Sequence, residues 1–284
     1  MIIVKLNGGL GNQMFQYALY QAYLEQGVNA KLDRSKFTHF DEKRECFLDY
    51  GCFDLKYELC TKAEARQYVI GTGMIARVIA RVFRDKKTHI YEKSEYEYDA
   101  EILKLRDGYI DGCWQSWKYI KDIKKKIHES FRFVNVLDIH QKDYEVKICN
   151  TNSVAVHIRR GDYLKLQKIY GGICTEEYYR KAIVRMNDML EEPVFYFFSN
   201  DIEWVKDTFG EFANYVYVEG NGEHKGYIDM HLMSECKHQI IANSSFSWWA
   251  AFLNNNPDKK VICPAKWINT KDTPDVYCED WIKI

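Results

Sequence analysis

The sequence lacks several features that would assign it to a common class of protein. It has no C-x-x-C pair, and its nine cysteines are an odd number in a chain of 284 residues, which argues against a disulfide scaffold. No apolar run reaches the roughly 18 residues that a membrane-spanning helix needs, and the first residues hold too few apolar side chains for a signal peptide. We therefore expect a cytoplasmic protein whose cysteines act as small buried hydrophobic residues.

The chain also lacks an excess of charge of either sign. It carries 40 basic and 41 acidic residues, for a net charge of −1. A protein that binds nucleic acid usually shows a marked basic excess, so we expect no nucleic-acid partner. Any site for an anion must be local.

Metal-binding and acyl-transfer motifs are missing as well. The sequence contains no D-x-D, no H-E-x-x-H and no G-x-S-x-G. His231, Cys236 and His238 are close in sequence, but they span a predicted helix end and a strand start, so we do not interpret them as a metal site. We expect no metal and no cofactor.

What the sequence does have is an α/β pattern in two parts. Hydrophobic residues make up 46% of the chain, enough for a folded core, and the length is typical of two domains, which we place at 1–150 and 151–284. From residue 152 onward, apolar strands alternate with helices, which predicts βαβ units and a parallel sheet. The chain begins with the same kind of unit, so we expect two Rossmann-like domains.

Two segments of the first domain allow more than one interpretation. Residues 35–70 are irregular, aromatic and mixed in charge, as expected of a region that recognises an acceptor. The pattern of residues 73–87 predicts an amphipathic basic helix, expected to be either a peripheral helix over the core or a weak anchor on the inner face of an anionic membrane. Its basic side chains are Arg77, Arg81, Arg84, Lys86 and Lys87.

The loops that follow the strands of the second domain carry most of the candidate site. Ligands of an open parallel sheet bind beyond the carboxyl ends of its strands, and Arg159 and Arg160 directly follow the first of these strands. Ser244 and Ser245 follow the fourth, at the start of a predicted helix, where backbone N–H groups favour an anion. A guanidinium group adds a bidentate contact to phosphate. The sequence therefore predicts a pyrophosphate site, unless one arginine only pairs with Asp162.

The glycine-rich loop near the N-terminus is a weaker signal. Gly9 and Gly11 resemble part of a dinucleotide fingerprint, and Asp33 follows at the distance of a ribose ligand, but Met14 stands where the third glycine belongs. A nicotinamide-dependent oxidoreductase is therefore one alternative. A glycan- or nucleotide-binding module without catalytic activity is another.

Three motifs together carry a family resemblance. They are "GGLGNQMFQYA" at the start, "HIRRGDY" after a strand in mid-chain and "ANSSFSWWAAFL" near the end. In order and spacing they resemble the bacterial α-1,2-fucosyltransferases of glycosyltransferase family 11. The resemblance implies a GT-B fold, with two Rossmann-like domains facing across a cleft. It also implies metal-independent transfer of L-fucose from GDP-β-L-fucose, with inversion, to the 2-hydroxyl of a galactose-terminated glycan, with GDP-fucose as co-substrate.

The resemblance also assigns expected roles to residues. Arg159 would bind the donor diphosphate with Arg160 beside it, and Asp229 would lie near the guanine. Asn12 would face the cleft from the acceptor side, and the catalytic residues would be Arg159, Asp162 and Asn12. The general base stays open between Asp162 and a carboxylate of the first domain. The remaining residues expected to bind the donor or the other substrate are Gly9, Gly11, Gln13, His157, Asn243, Ser244, Ser245 and Phe246.

Overall fold

The structure, a computed structural model, forms two compact α/β units. It describes residues 1–38, 45–69, 88–134, 136–161, 165–210, 212–219 and 225–284. The first unit comprises Met1–Val134 and Pro274–Val276, and the second comprises Asn135–Thr273 and Tyr277–Ile284. The boundary predicted after residue 150 thus lies earlier, because the helix that precedes it packs within the second unit.

The first unit is built on a four-stranded sheet whose described strand pairs are all parallel. The strand order is β2-β1-β4-β3, so the chain places β1 and β4 side by side at the centre. The strands are β1 Ile2–Lys5, β2 Ala30–Asp33, β3 His89–Tyr91 and β4 Gly108–Asp111, and the helices are α1 Leu10–Glu25, α2 Lys62–Tyr68 and α3 Lys124–Ser130. Helix α1 is buried along most of its length, which explains its many large apolar side chains.

The second unit contains a six-stranded parallel sheet with the doubly wound order. The order is β10-β9-β8-β5-β6-β7, which corresponds to 3-2-1-4-5-6 when its strands are counted from β5 and read from the other edge. The strands are β5 Asn152–Ile158, β6 Pro193–Ser199, β7 Tyr215–Tyr217, β8 His238–Ile240, β9 Val261–Cys263 and β10 Ile282–Lys283. The strand order reverses between β5 and β8, so a crevice for a ligand is expected at their carboxyl ends.

Helices cover this second sheet and begin at residues that cap them. Thr175 is the N-cap of the helix Glu176–Met189 and accepts a hydrogen bond from the Tyr178 N–H group at 3.3 Å. Val154 and Val156 of β5 are fully buried and belong to the same core cluster as Met186. The helices are α4 Ile139–Cys149, α5 Gln167–Tyr170, α6 Glu176–Met189, α7 Ile202–Phe209, α8 Gly226–Glu235 and α9 Ser245–Leu253.

Some sequence-based expectations need correction. β3 and the helices α2, α3, α4 and α5 were not predicted, nor was β10, which follows the strand Val261–Cys263. All nine cysteines lie in the described part of the chain, and none forms a disulfide there. Among the described residues, no helix has the length and apolar character to cross a membrane. The basic helix predicted at 73–87 lies outside the described residues.

Candidate functional site

The reversal of strand order places the first and fourth loops of the second sheet next to each other. β5 and β8 are hydrogen-bonded neighbours, with Val154 opposite His238 and Val156 opposite Ile240. The rings of His157, on β5, and Phe246, on α9, lie 5.4 Å apart between centroids. The arginine loop and the serine loop therefore meet at one crevice.

His157 is a buried, neutral side chain at this crevice. Burial and the nearby positive charge of Arg159 lower its pKa to about 3, so the ring is uncharged at neutral pH. Its backbone carbonyl accepts a hydrogen bond from the Tyr179 hydroxyl at 3.0 Å. The ring atom Nδ1 is buried and has no hydrogen-bond partner among the described residues. An ordinary core histidine usually donates a hydrogen bond from its ring to a backbone carbonyl. Nδ1 of His157 makes no such bond within the described residues.

The two adjacent arginines have different surroundings. The Nε group of Arg160 donates to the Asp201 carboxylate at 3.0 Å, and its guanidinium carbon lies 3.6 Å from the ring centroid of Trp204. The positive charge of Arg159 instead lies near His157 and lowers the pKa of its ring. Successive side chains leave an extended chain on opposite sides, so two adjacent arginines are expected to meet different groups. Arg160 thus pairs with Asp201. The alternative in which one arginine pairs with Asp162 stays a prediction, because Asp162 lies outside the described residues.

A glycine and an asparagine hold the turn after the arginines. Gly161 has a φ of 23°, and a Cβ atom there would stand 2.3 Å from Asn200 Nδ2. Asn200 Oδ1 in turn accepts a hydrogen bond from the Arg160 N–H group at 3.1 Å. Glycine therefore permits both the left-handed backbone and the close approach of the loop that follows β6.

The serine loop is fixed by the asparagine before it. The Asn243 amide donates to the Trp267 carbonyl at 2.9 Å and accepts from the Cys174 thiol at 3.2 Å, and the residue is buried. Ser244 is the N-cap of α9, and its hydroxyl accepts from the Phe246 N–H group at 3.3 Å. Asn243 thus shapes the loop, while the start of α9 presents the positive end of a helix.

The start of α8 adjoins the same crevice. A Cβ atom on Gly226 would be in ordinary contact, 3.5 Å, with the Phe246 ring. Asp229 lies in the first turn of α8 and is half-buried. Asp229, whose carboxylate is predicted to lie near the guanine, is therefore on a helix whose start borders the crevice.

The glycine-rich loop of the first unit precedes and begins α1. Gly9 is the N-cap and Gly11 is buried in the first turn. The Asn12 side-chain oxygen accepts from the Gln115 amide at 2.8 Å, which ties α1 to the segment after β4. Gln13 is 0% exposed. Its amide donates to the carbonyls of residues 8 and 45 and accepts from the N–H group of residue 47, so the Gln13 side chain holds this loop together.

Asp33 is also engaged within the fold. Its carboxylate accepts hydrogen bonds from the Tyr109 hydroxyl at 2.6 Å and from the Ser35 N–H group at 2.7 Å. Met14, in place of a third glycine, is fully buried. These contacts do not favour the alternative in which Asp33 binds the ribose of a nicotinamide cofactor.

Asn200, Asp201 and Trp204 are site residues that the sequence-based assignment did not include. Asn200 and Asp201 directly follow β6, and this position after a strand was the signal available in the sequence. Trp204 lies one helical turn after Asp201, the N-cap of α7, and only the tertiary structure brings its ring to Arg160. In the part of the chain that the structure describes, no group of three histidine, cysteine or acidic side chains could hold a metal ion.

Comparison with known proteins identifies the family. The model of "Glycosyl transferase family 11" matches residues 83–284. The chain belongs to glycosyl transferase family 11. This family-11 chain is 34% identical over 296 residues to an α-1,2-colitosyltransferase of Escherichia coli, with 100% of this chain and 99% of the relative covered. It is 33% identical to the O-antigen biosynthesis glycosyltransferase WbnK of E. coli, with 98% and 99% covered.

A more distant relative is human. Galactoside α-(1,2)-fucosyltransferase 1 of Homo sapiens is 28% identical over 183 residues, which cover 60% of this chain and 48% of the human protein. The two E. coli relatives, in contrast, match over nearly their whole length.

Solved structures identify the fold of this glycosyltransferase. The α-1,6-fucosyltransferase NodZ, soaked with GDP-fucose, matches with a TM-score of 0.54 at 13% identity, covering 89% of this chain and 91% of NodZ. A variant of Arabidopsis thaliana FUT1 in complex with GDP also matches with a TM-score of 0.54 at 13% identity, covering 92% and 70%. At such identities the likeness concerns the fold alone, and that fold is the predicted α/β fold of GT-B type.

Proposed function

We propose that this family-11 glycosyltransferase is a galactoside α-1,2-fucosyltransferase. It transfers L-fucose from GDP-β-L-fucose to the 2-hydroxyl of a terminal galactoside. The observation that carries the proposal is the junction of two loops at the reversal of strand order, where Arg159 lies near His157 and the His157 ring meets Phe246 in the first turn of α9. Fixed positive charge and N–H dipoles at one crevice suit a diphosphate leaving group.

The proposed reaction is a single displacement. The acceptor oxygen forms a bond to the anomeric carbon of fucose while the bond from that carbon to the β-phosphate oxygen breaks. Attack from the opposite face converts the β-linked donor into an α-linked product. The electron pair of the broken bond stays on GDP, where Arg159 and the N–H groups of α9 stabilise the added negative charge.

The proton of the acceptor hydroxyl leaves as the new bond forms. Asp162 and a carboxylate of the first unit are both candidates to accept it. Arg159, Asp162 and Asn12 remain the residues proposed to act on the reacting groups. Arg160 would support the donor loop, since Asp201 and Trp204 hold its guanidinium.

Metal-independent transfer is part of the proposal. It is supported by the absence of D-x-D from the sequence and by two arginines in the donor loop. The Arg159 guanidinium and the helix N–H groups then do what a bound cation does in other transferases, which is to balance the charge of the departing diphosphate.

Colitosyl transfer is a second candidate, because a relative that matches over the whole chain bears that name. Colitose is fucose without the 3-hydroxyl group. A site that hydrogen-bonds this hydroxyl strongly disfavours the deoxy sugar, whereas an apolar site separates the two sugars weakly. Turnover of GDP-fucose and GDP-colitose in direct competition distinguishes the two candidates.

The decisive experiment is a linkage analysis of the product. The purified chain is incubated with GDP-fucose and a panel of β-galactosides, and the products are methylated and analysed by mass spectrometry and NMR. We expect fucose α-linked to the galactose 2-hydroxyl. A product linked elsewhere, or turnover of GDP-colitose alone, would contradict the proposal.

A further inference from the structure

The first unit contains a cleft whose lining includes no residue of the donor loops. It has a volume of about 510 Å³, within the range of roughly 300–1,000 Å³ typical of small-molecule sites. Its lining includes Glu92, directly after β3, and Trp114, which follows β4. It thus adjoins the carboxyl ends of two parallel strands, where open α/β sheets bind ligands.

Aromatic rings form much of the cleft wall. Tyr91 is 50% exposed, and its ring is stacked on His89 with the centroids 4.1 Å apart. Tyr119 packs edge to face against Tyr98 and Trp114, at centroid distances of 4.9 and 6.1 Å. The negative face of such rings attracts the C–H groups of a sugar ring, so an exposed, oriented tyrosine is suited to carbohydrate.

Trp114 combines two unfavourable features at this wall. Its φ is 57°, a left-handed conformation that costs a non-glycine residue energy. The Glu92 carboxylate stabilises the turn by accepting the N–H groups of Cys113 at 2.6 Å and Trp114 at 3.0 Å. The indole Nε1 of Trp114 is buried and has no hydrogen-bond partner among the described residues. Strain and an unsatisfied polar group at a cleft wall point to a functional constraint on this position.

The charges at the cleft indicate the kind of sugar. The lining includes the carboxylates of Glu97, Asp99 and Glu101 besides Glu92, and the basic residue Lys93. Asp99 pairs with Lys93 at 3.8 Å and Glu101 with Lys104 at 2.6 Å, so the acidic groups still outnumber the basic ones. Carboxylate oxygens accept hydrogen bonds from sugar hydroxyl groups, and they repel uronic or sialic acids. The lining therefore favours a neutral saccharide over an acidic one.

We propose that the cleft lined by Tyr91, Tyr98 and Trp114 is a binding subsite for a neutral sugar unit of the acceptor glycan. This inference rests on the proposed function for its biological meaning. It adds that the enzyme recognises an oligosaccharide rather than a single terminal galactose.

The test measures binding without donor, so that it does not depend on transfer. Isothermal titration calorimetry compares lacto-N-tetraose, a neutral tetrasaccharide ending in β-galactose, with methyl β-galactoside and with a hyaluronan tetrasaccharide, which carries uronic acid. We expect the wild type to bind lacto-N-tetraose about ten-fold more tightly than methyl β-galactoside. The hyaluronan tetrasaccharide should bind at least as weakly as the monosaccharide.

Two variants with matched controls assign the binding to the cleft. Tyr91→Ala should weaken lacto-N-tetraose binding about five-fold or more, while Phe212→Ala, at an exposed aromatic side chain of the second unit, should not. Trp114→Phe should also weaken it, whereas Trp117→Phe, outside the cleft lining, should not. Circular dichroism and GDP titration verify that each variant is folded and retains the donor site.

The outcomes separate this inference from the proposed function. Unchanged tetrasaccharide affinity in folded Tyr91→Ala and Trp114→Phe, absent binding by the wild type, or preference for the hyaluronan tetrasaccharide would each overturn the subsite. If lacto-N-tetraose binds as expected but no fucose is transferred from GDP-fucose, the proposed function fails and the subsite stands.

Discussion

The adjacent arginines of the donor loop should differ in what they contribute, and substitution can separate them. Arg160→Ala removes an ion pair to Asp201 at 3.0 Å and the stacking on Trp204 at 3.6 Å. The Arg160 and Asp201 side chains are 23% and 41% exposed, so solvent screening limits the ion pair to about 0.2–1 kcal/mol. The cation–π contact adds about 0.5–2 kcal/mol. We therefore expect the free energy of unfolding to fall by about 1–3 kcal/mol.

Arg159→Ala should act on catalysis instead. If its guanidinium holds the departing diphosphate, its loss costs about 3 kcal/mol in the transition state, or roughly 100-fold or more in kcat/KM. Arg159→Lys should fail as well, because an ammonium group cannot make the bidentate contact. The fold should survive both changes at Arg159.

The assays are urea denaturation followed by circular dichroism, GDP titration and steady-state transfer. A double-mutant cycle of Arg160→Ala with Trp204→Leu isolates the stacking, for which we expect a coupling energy of about 0.5–2 kcal/mol. The reasoning is refuted if Arg160→Ala keeps wild-type stability yet loses as much GDP affinity as Arg159→Ala. Near-normal transfer by Arg159→Ala would end the assignment of the diphosphate to that residue.

The proposed metal independence, the buried histidine and the glycine of the donor loop give further tests. Transfer should persist in excess EDTA, and turnover lost in chelator and restored by manganese or magnesium would contradict metal-independent transfer. Folding lowers the pKa of His157 from 6.5 to about 3. As the pH falls, the unfolded chain therefore binds a proton at this residue before the folded chain does. The free energy of unfolding should therefore decrease below pH 6.5, by up to about 1.4 kcal/mol per pH unit from this residue. Denaturation at several pH values should show a smaller slope of the free energy of unfolding against pH in His157→Phe than in wild type. The control is His140→Phe, a change at an exposed histidine, which should keep the wild-type slope. Equal slopes in all three proteins would refute this reasoning. Gly161→Ala should lower the free energy of unfolding by about 1–3 kcal/mol. It should also weaken GDP binding, because the added Cβ atom would displace Asn200. An unchanged GDP titration would contradict the role of this turn.

Much of the second unit could be predicted because its signals are local. The apolar run of β5, the N-cap Thr175 and the amphipathic helix after it depend on neighbouring residues alone. The placement of candidate residues after strands followed from the same pattern, since parallel strands end at one edge of a sheet.

The missed elements had weaker or overlooked signals. Helix α2 begins with a Thr61–Glu64 capping box, and α4 begins with one at Asp138 and Gln141, so both starts were visible in sequence. Strand β3 is three residues long and only partly buried, and so short a run has no clear period.

Other features were decided only by the tertiary structure. The sequence by itself determined two α/β units and an arginine pair at a strand end, because backbone propensity and apolar periodicity act over a few residues. It could not say that Asp201 and Trp204 engage Arg160, because they reach it from the neighbouring strand-to-helix loop and helix. Nor could the sequence predict that Phe246 meets His157. That contact depends on strand order, which is set by how helices from distant parts of the chain pack on the two faces of the sheet.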